Sequence, residues 1–290
     1  MEVIKIIPQG YCNGVKRAIG ICKQMAKLDG KKYQLGRLIN NKMVNKSVEL
    51  LGIEIIDDID SIDNDSTLLV TADGASEKQL KKLENKNVKI VDATCPIVKI
   101  IHELINKYEL ERKILYIGNK NHPEAKNIFE DHQNMININS YNDIDNLDKN
   151  AYYYLTNQTT LSHLDVEDLI NYAKNKLPNL LVNNQICDAT YKRQEAILKI
   201  QGDFIIVVGD HLSSNCNRLY ELAKKNNPNA LVLLIEGVED LASYDLKKYP
   251  KCYITSGAST PNIITDEVIE YLEAYPNKKP VSKIKDTDYL

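Results

Sequence analysis

The sequence predicts an α/β protein of three similar small lobes in a pseudo-threefold arrangement. Two observations carry that expectation. Short β-branched runs alternate with amphipathic helical stretches from end to end. The turns behind the strands also fall into three sets of three, each reading Cys-bearing turn, polar turn, polar turn. The expected lobes are residues 1–94, 95–185 and 186–276, followed by a tail, 277–290.

The elements can be taken in order. The run Val3–Ile7 opens the chain and leads into Gly10-Tyr11-Cys12-Asn13-Gly14. Over Val15–Lys27, Val15, Ile19, Cys22 and Met25 recur at helical spacing. Strands near Lys32–Leu35 and Thr67–Thr71 lead to Ile39-Asn40-Asn41 and Ala72-Asp73-Gly74. A strand near Val88–Val91 ends in Asp92-Ala93-Thr94-Cys95-Pro96, and Ile97, Ile101, Leu104 and Ile105 then mark a helix over Ile97–Tyr108. Ile114–Ile117 runs to Asn121-His122-Pro123-Glu124, and Tyr152–Leu155 to Asn157-Gln158-Thr159-Thr160. Leu180–Asn183 precedes Ile186-Cys187-Asp188-Ala189-Thr190. Phe204–Val208 precedes Ser213-Ser214-Asn215, and Cys252–Thr255 precedes Gly257-Ala258-Ser259. Asp-Ala-Thr recurs beside Cys95 and Cys187, a weak internal repeat. After Tyr275, Pro-Asn-Lys-Lys-Pro marks the end of the packed body, and the polar tail is expected as a closing strand or as disordered chain.

Composition narrows the function classes. Apolar residues make up 43% of the 290 and charged residues 27%, an ordinary globular balance. A net charge of −3 gives no electrostatic case for nucleic acid or an anionic membrane as partner. The N-terminus carries Glu2, Lys5 and Pro8 where a signal peptide needs an unbroken apolar stretch. The longest apolar runs, such as Phe204–Val208 and Ala230–Ile235, are strand-sized. A cytoplasmic address is therefore expected, with the six cysteines as reduced thiols.

Those cysteines divide by context. Cys22 lies on an apolar helix face and Cys252 opens a strand, the setting of small core residues. Cys216 follows Ser-Ser-Asn at a helix start and is expected near the polar turns. Cys12, Cys95 and Cys187 stand in strand-to-helix turns among Gly, Asn, Asp and Thr, which keeps a thiol accessible. No Cys-x-x-Cys spacing is present. The bare pattern leaves open both a shared metal site and three unconnected turn cysteines. Structural zinc would want a fourth protein ligand, whereas three thiolates suit a [4Fe–4S] cluster with one iron free for substrate.

The turns resemble, in order and over nearly the whole chain, the 4-hydroxy-3-methylbut-2-enyl diphosphate reductase family of isoprenoid biosynthesis. The resemblance rests on Gly10–Ala18, Val91–Pro96, His122-Pro123-Glu124, Gln158–Ser162, Ile186–Thr190 with Arg193–Ala196, Ser213-Ser214-Asn215 with Asn217–Leu219, and Gly257-Ala258-Ser259. It implies a three-lobed fold around a [4Fe–4S] cluster held by Cys12, Cys95 and Cys187. It implies that the substrate's allylic hydroxyl binds the unique iron and leaves as water, with Glu124 as proton donor and Thr159 beside it. His122, Ser213, Ser214, Asn215 and Ser259 match diphosphate-binding positions. Taken singly, each is more often just a helix N-cap. No Gly-x-Gly-x-x-Gly follows a strand, so electrons are expected from an external carrier such as ferredoxin or flavodoxin.

Two positions depart from the family. Asn40 and Asp73 stand where it carries diphosphate-facing histidines. An ionised Asp73 about 5 Å from one phosphate charge would cost roughly 3 kcal/mol at an effective dielectric near 20. Lys42, Lys120 and His211 are the candidates to neutralise it. The favoured expectation is a paralogue that keeps the reductive chemistry on a changed substrate. The alternatives are the authentic isoprenoid reductase, and a cluster-bearing sensor or sulfur-accepting enzyme. Retention of Glu124 and Thr159 argues against the sensor, which needs no proton donor.

Overall fold

A computed structural model describes residues 1–290. Twelve strands form three sheets of four, all parallel. In chain order they are β1 (Glu2–Lys5), β2 (Lys32–Leu35), β3 (Glu54–Ile56), β4 (Thr67–Val70), β5 (Lys89–Asp92) and β6 (Lys113–Ile117). Then come β7 (Ile136–Ile138), β8 (Tyr153–Asn157), β9 (Leu180–Val182), β10 (Phe204–Val208), β11 (Leu231–Ile235) and β12 (Lys251–Ser256). The ten α-helices are α1 (Asn13–Met25), α2 (Lys42–Leu50), α3 (Glu77–Lys81), α4 (Pro96–Tyr108) and α5 (Pro123–Asp131), then α6 (Tyr141–Asp145), α7 (His163–Lys176), α8 (Asp188–Leu198), α9 (Ser214–Asn226) and α10 (Asn262–Ala274).

The sheet orders are β3-β2-β4-β5, β7-β6-β8-β9 and β11-β10-β12-β1. Each follows one rule. The first strand is central, the second is an edge, the third crosses to the other side and the fourth closes that edge. In the third sheet the fourth place is taken by β1, the first strand of the chain. That corrects the division into consecutive thirds: Glu2–Lys5 was expected in the 1–94 lobe, yet it pairs with Lys251–Ile254. Strand pairing follows exposed ladder edges, which chain order does not determine.

The chain forms two compact units. One comprises 27–36 and 54–187 and holds the sheets β3-β2-β4-β5 and β7-β6-β8-β9; the other comprises 1–26, 37–53 and 188–290 and holds the third sheet.

Within the first unit, β6 shows why strand and helix periods agree. Its residues are buried on both faces. Ile114 and Tyr116 pack with Ile101 and Ile105 of α4 and Ala125 and Ile128 of α5. Leu115 and Ile117 pack with Ile144 of α6 and Val166, Ile170 and Ala173 of α7. A parallel strand covered on both faces is apolar throughout, as KILYI nearly is. In the other unit, Ile205 and Val207 of β10 meet Leu219, Leu222 and Ala223 of α9. The tail is neither a closing strand nor loose chain. It contains no strand, and Tyr289 is buried. No helix is long and apolar enough to cross a membrane.

Candidate active site

In an open parallel sheet, ligands collect where the strand order reverses, at carboxyl ends that feed helix N-termini. The polar turns lie there. Those bearing Asn40, His122-Pro123-Glu124 and Ser213-Ser214-Asn215 follow the first strands β2, β6 and β10. Those bearing Asp73, Thr159 and Ser259 follow the third strands β4, β8 and β12. Cys12, Cys95 and Cys187 follow the fourth strands β1, β5 and β9.

One hydrogen bond recurs in all three sheets. The Cys12 N–H donates to the Ala258 carbonyl at 3.1 Å, that of Cys95 to Ala72 at 2.9 Å, and that of Cys187 to Thr159 at 3.1 Å. Each cysteine is thus tied to the turn behind the third strand of its own sheet. Each stands at a helix start: Cys12 caps α1, its sulfur accepting from the Val15 N–H at 3.4 Å, Cys95 precedes Pro96 of α4, and Cys187 precedes α8. All three are partly exposed. The remaining cysteines are fully buried, and burial pushes the Cys22 thiol up to about 12 and raises those of Cys216 and Cys252. Cys216 was expected near the polar turns. It does lie there, but buried: it fills the space over Gly209 and Gly257, where an added Cβ would meet its sulfur at 2.2 and 2.1 Å. The donor set therefore fits a thiolate-held cluster: three reachable thiols in equivalent turns, and three others locked in cores.

Beside Cys187, the first unit builds an acid. Glu124, in the first turn of α5, is 1% exposed. Its Oε1 accepts from the Thr159 N–H at 3.2 Å and its Oε2 from the Thr159 hydroxyl at 2.9 Å. Burial, and after it the charge of Asp73, pushes the Glu124 carboxyl up to about 7 against the opposing pull of Thr159 and Tyr116. Asp73 sits in a turn closed by Gly74, whose φ of +83° favours a residue without a Cβ, and Thr94 lies against that glycine. Burial raises the Asp73 carboxyl too, opposed by His122. One ligand atom from each of Asp73, His122 and Glu124 lies within 4.8 Å of the others.

Lys120, the lysine candidate in the same unit as Asp73, is not engaged with it. Lys42 pairs with Glu236, and Lys120 lies over the Phe129 ring. The backbone N–H of His211 donates to Glu236 at 3.4 Å. The basic neighbour is His122, so two expected substrate contacts face each other. Tyr116 was missed from sequence because it reads as one more strand residue. Asn127, which donates to the Gly74 carbonyl at 2.9 Å and steadies the Asp73 turn, gave no signal either.

In the second unit, Ser213 caps α9, and the Ser259 hydroxyl donates to the Asn40 carbonyl at 3.2 Å and lies 3.3 Å from the Ser213 hydroxyl. Asn40 thus meets Ser259 through its backbone. Asn215 is 5% exposed, yet neither end of its amide has a hydrogen-bond partner. A buried amide in that state marks a place for a ligand. Ser214 occupies the first position of α9. Arg193, buried in α8, donates to the Gly10 carbonyl at 2.6 Å and steadies the turn that carries Cys12.

Comparison with known proteins agrees with this fold. Residues 3–273 match the family model described as LytB protein. The 4-hydroxy-3-methylbut-2-enyl diphosphate reductase of Symbiobacterium thermophilum is 36% identical, covering 95% of this chain and 98% of that protein. The enzyme of the same name from Lysinibacillus sphaericus is 37% identical, with 98% and 92% covered. Among solved structures, the E-1-hydroxy-2-methyl-but-2-enyl-4-diphosphate reductase of Plasmodium falciparum superposes with a TM-score of 0.88 at 30% identity, covering 99% of this chain and 90% of that one.

Proposed function

This chain belongs to the LytB protein family, whose relatives are reductases, and from that premise we propose an iron–sulfur reductase that removes an allylic hydroxyl as water from a substrate changed at its anionic end. The observation that carries the proposal is the repeated hydrogen bond from Cys12, Cys95 and Cys187 to equivalent turns, one of which holds Thr159 and through it Glu124. In this reading the three cysteines hold a [4Fe–4S] cluster. When bound, it supplies electrons and an iron with a free position for the substrate oxygen. Glu124 holds its proton near neutral pH and delivers it from a carboxyl oxygen to the departing hydroxyl, while two electrons from the carrier and a second proton, ultimately from solvent, form the C–H bond that replaces the broken C–O bond. Thr159 fixes both oxygens of that carboxyl, and burial of Glu124 keeps bulk water from competing. Electrons come from an external carrier such as ferredoxin or flavodoxin.

The change of substrate rests on Asp73. Two carboxyl groups and an imidazole, where the family has histidine at the Asp73 position, favour a cationic or hydrogen-bond-donating group over a diphosphate. A second reading, the diphosphate itself, is favoured by the unpartnered amide of Asn215 beside Ser213, Ser214 and Ser259. Anaerobically reconstituted protein with a reductant and the hydroxylated diphosphate separates them. Turnover at ordinary enzyme rates, about 1–1000 per second, selects the second reading. About four iron atoms per chain are expected, with less iron in Cys12→Ser, Cys95→Ser or Cys187→Ser. Glu124→Gln should keep its iron while turnover of the true substrate falls roughly 100- to 10,000-fold. An iron-free protein under oxygen protection would defeat the proposal.

A further inference from the structure

Asp73, His122 and Glu124 come from turns behind β4 and β6 of one unit, and their ligand atoms converge within 4.8 Å. The hydrogen bonds to Glu124 come from Thr159 and leave lone pairs on both carboxyl oxygens. Two further groups point to a missing occupant. The Nδ1 atom of His122 is buried without a hydrogen-bond partner. The hydroxyl of Tyr116, a residue with no exposed surface, faces Glu124 and likewise lacks a well-formed partner. Buried groups of this kind are normally satisfied. Two carboxyl groups this close repel each other when both are ionised, and a cation between them removes that repulsion.

We infer that Asp73, His122 and Glu124 form a binding site for a divalent first-row transition-metal ion, separate from the three-cysteine site. One imidazole nitrogen with two carboxylate oxygens is a donor set for Mn2+, Fe2+ or Zn2+, while Mg2+ prefers oxygen ligands and water. Three protein ligands leave positions for solvent. Tyr116 is placed to donate to a Glu124 oxygen and orient that ligand from behind. The signal lies in the departure at position 73, which adds a carboxylate to His122 and Glu124. One consequence rests on the proposed function: an ion held by Glu124 occupies the oxygens that deliver the proton, so an occupied site suppresses reduction.

Mn2+ is the probe, because thiolates bind this hard ion weakly and the cysteines will not compete. Cluster-loaded full-length chain, stripped with EDTA and dialysed, should bind one Mn2+. Folded Asp73→Asn and Glu124→Gln should each bind it about 10-fold or more weakly. A second measurement needs no variant: in histidine-labelled protein, Mn2+ should broaden the ring resonances of His122 before those of His102, His132, His163 and His211. Failure to retain Mn2+, unchanged affinity in folded Asp73→Asn, or equal broadening of all five histidines overturns the inference. The two readings fail separately. A chain that reduces its substrate but binds no Mn2+ loses only the metal site. One that binds Mn2+ at these residues and shows no reductase activity even after the ion is stripped keeps the site and loses the reductase.

Discussion

Glu124 is the residue on which stability and chemistry pull in opposite directions. Its ordinary value is 4.5, and the fold raises it to about 7. Between those values the folded protein keeps a proton that the unfolded chain has released. Stability therefore falls as pH rises through that window and levels off above about 7. The decline amounts to about 3 kcal/mol. Glu124→Gln cannot ionise and escapes it. In chelator-treated protein, the melting temperature of the variant should gain on the native chain between about pH 5 and pH 8. A difference that stays constant with pH would show that Glu124 is charged in the folded state throughout. Asn215 poses a similar conflict without a proton. Leaving a buried amide unpaired costs about 1–3 kcal/mol, so Asn215→Leu should melt higher in the absence of ligand and bind inorganic diphosphate more weakly; equal binding would remove Asn215 from the site. The placement of Cys12, Cys95, Cys187, Glu124 and Thr159 was legible because each stands in a polar turn at a strand end. The approach of Asp73 to His122 was not, since two turns far apart in sequence meet only once β4 and β6 are in place.

At the scale of elements, the long helices and the central strands were readable because their periods run over enough residues to register. β3 and β7 were missed. Each has three residues and sits at a sheet edge, too short for alternation to appear. β11 is visible only as an apolar run, which by itself does not distinguish a strand from a buried helix segment. The packing of α9 against β10 and the turn behind β12 yields a sharper test. Gly257 follows β12, and a Cβ there would lie 2.1 Å from the Cys216 sulfur, with its next neighbour, the Thr260 hydroxyl, at 3.4 Å. Gly257→Ala should destabilise the protein by about 1–3 kcal/mol through overpacking. In Cys216→Ala the obstructing sulfur is gone, so adding Gly257→Ala should cost much less. A double-mutant cycle from urea melts measures this. Additive costs would mean that the clash is relieved by backbone movement and that Cys216 is not what demands glycine.

At the scale of the whole molecule, the threefold repeat is one of topology more than of sequence. Three sheets share one strand order, and one hydrogen bond from cysteine to a third-strand turn recurs in each. The repeat was legible from the order of the turns. The placement of β1 was not, because nothing in Glu2–Lys5 names Lys251–Ile254 as its partner. The N-terminal strand completes the third sheet and leads directly into the Cys12 turn. The C-terminal tail supports that turn. The Tyr11 hydroxyl donates to the Tyr289 carbonyl at 2.5 Å, next to Cys12. Ser47 donates to the Asp286 carbonyl, Lys46 pairs with the Asp286 carboxylate at 2.7 Å, and Ser282 donates to Glu267 at 2.8 Å. Burial of Tyr289 alone is worth roughly 2 kcal/mol. The Tyr11 hydrogen bond adds about 1 kcal/mol. Deleting residues 282–290 should therefore lower the melting temperature by several degrees, and reconstituted protein should lose iron faster than the full chain because the Cys12 turn is no longer braced. Tyr11→Phe, which removes only the hydrogen bond, should show a smaller effect in the same direction. If the truncated chain melts lower but holds iron as long as the full chain, the tail stabilises the fold without supporting the Cys12 turn.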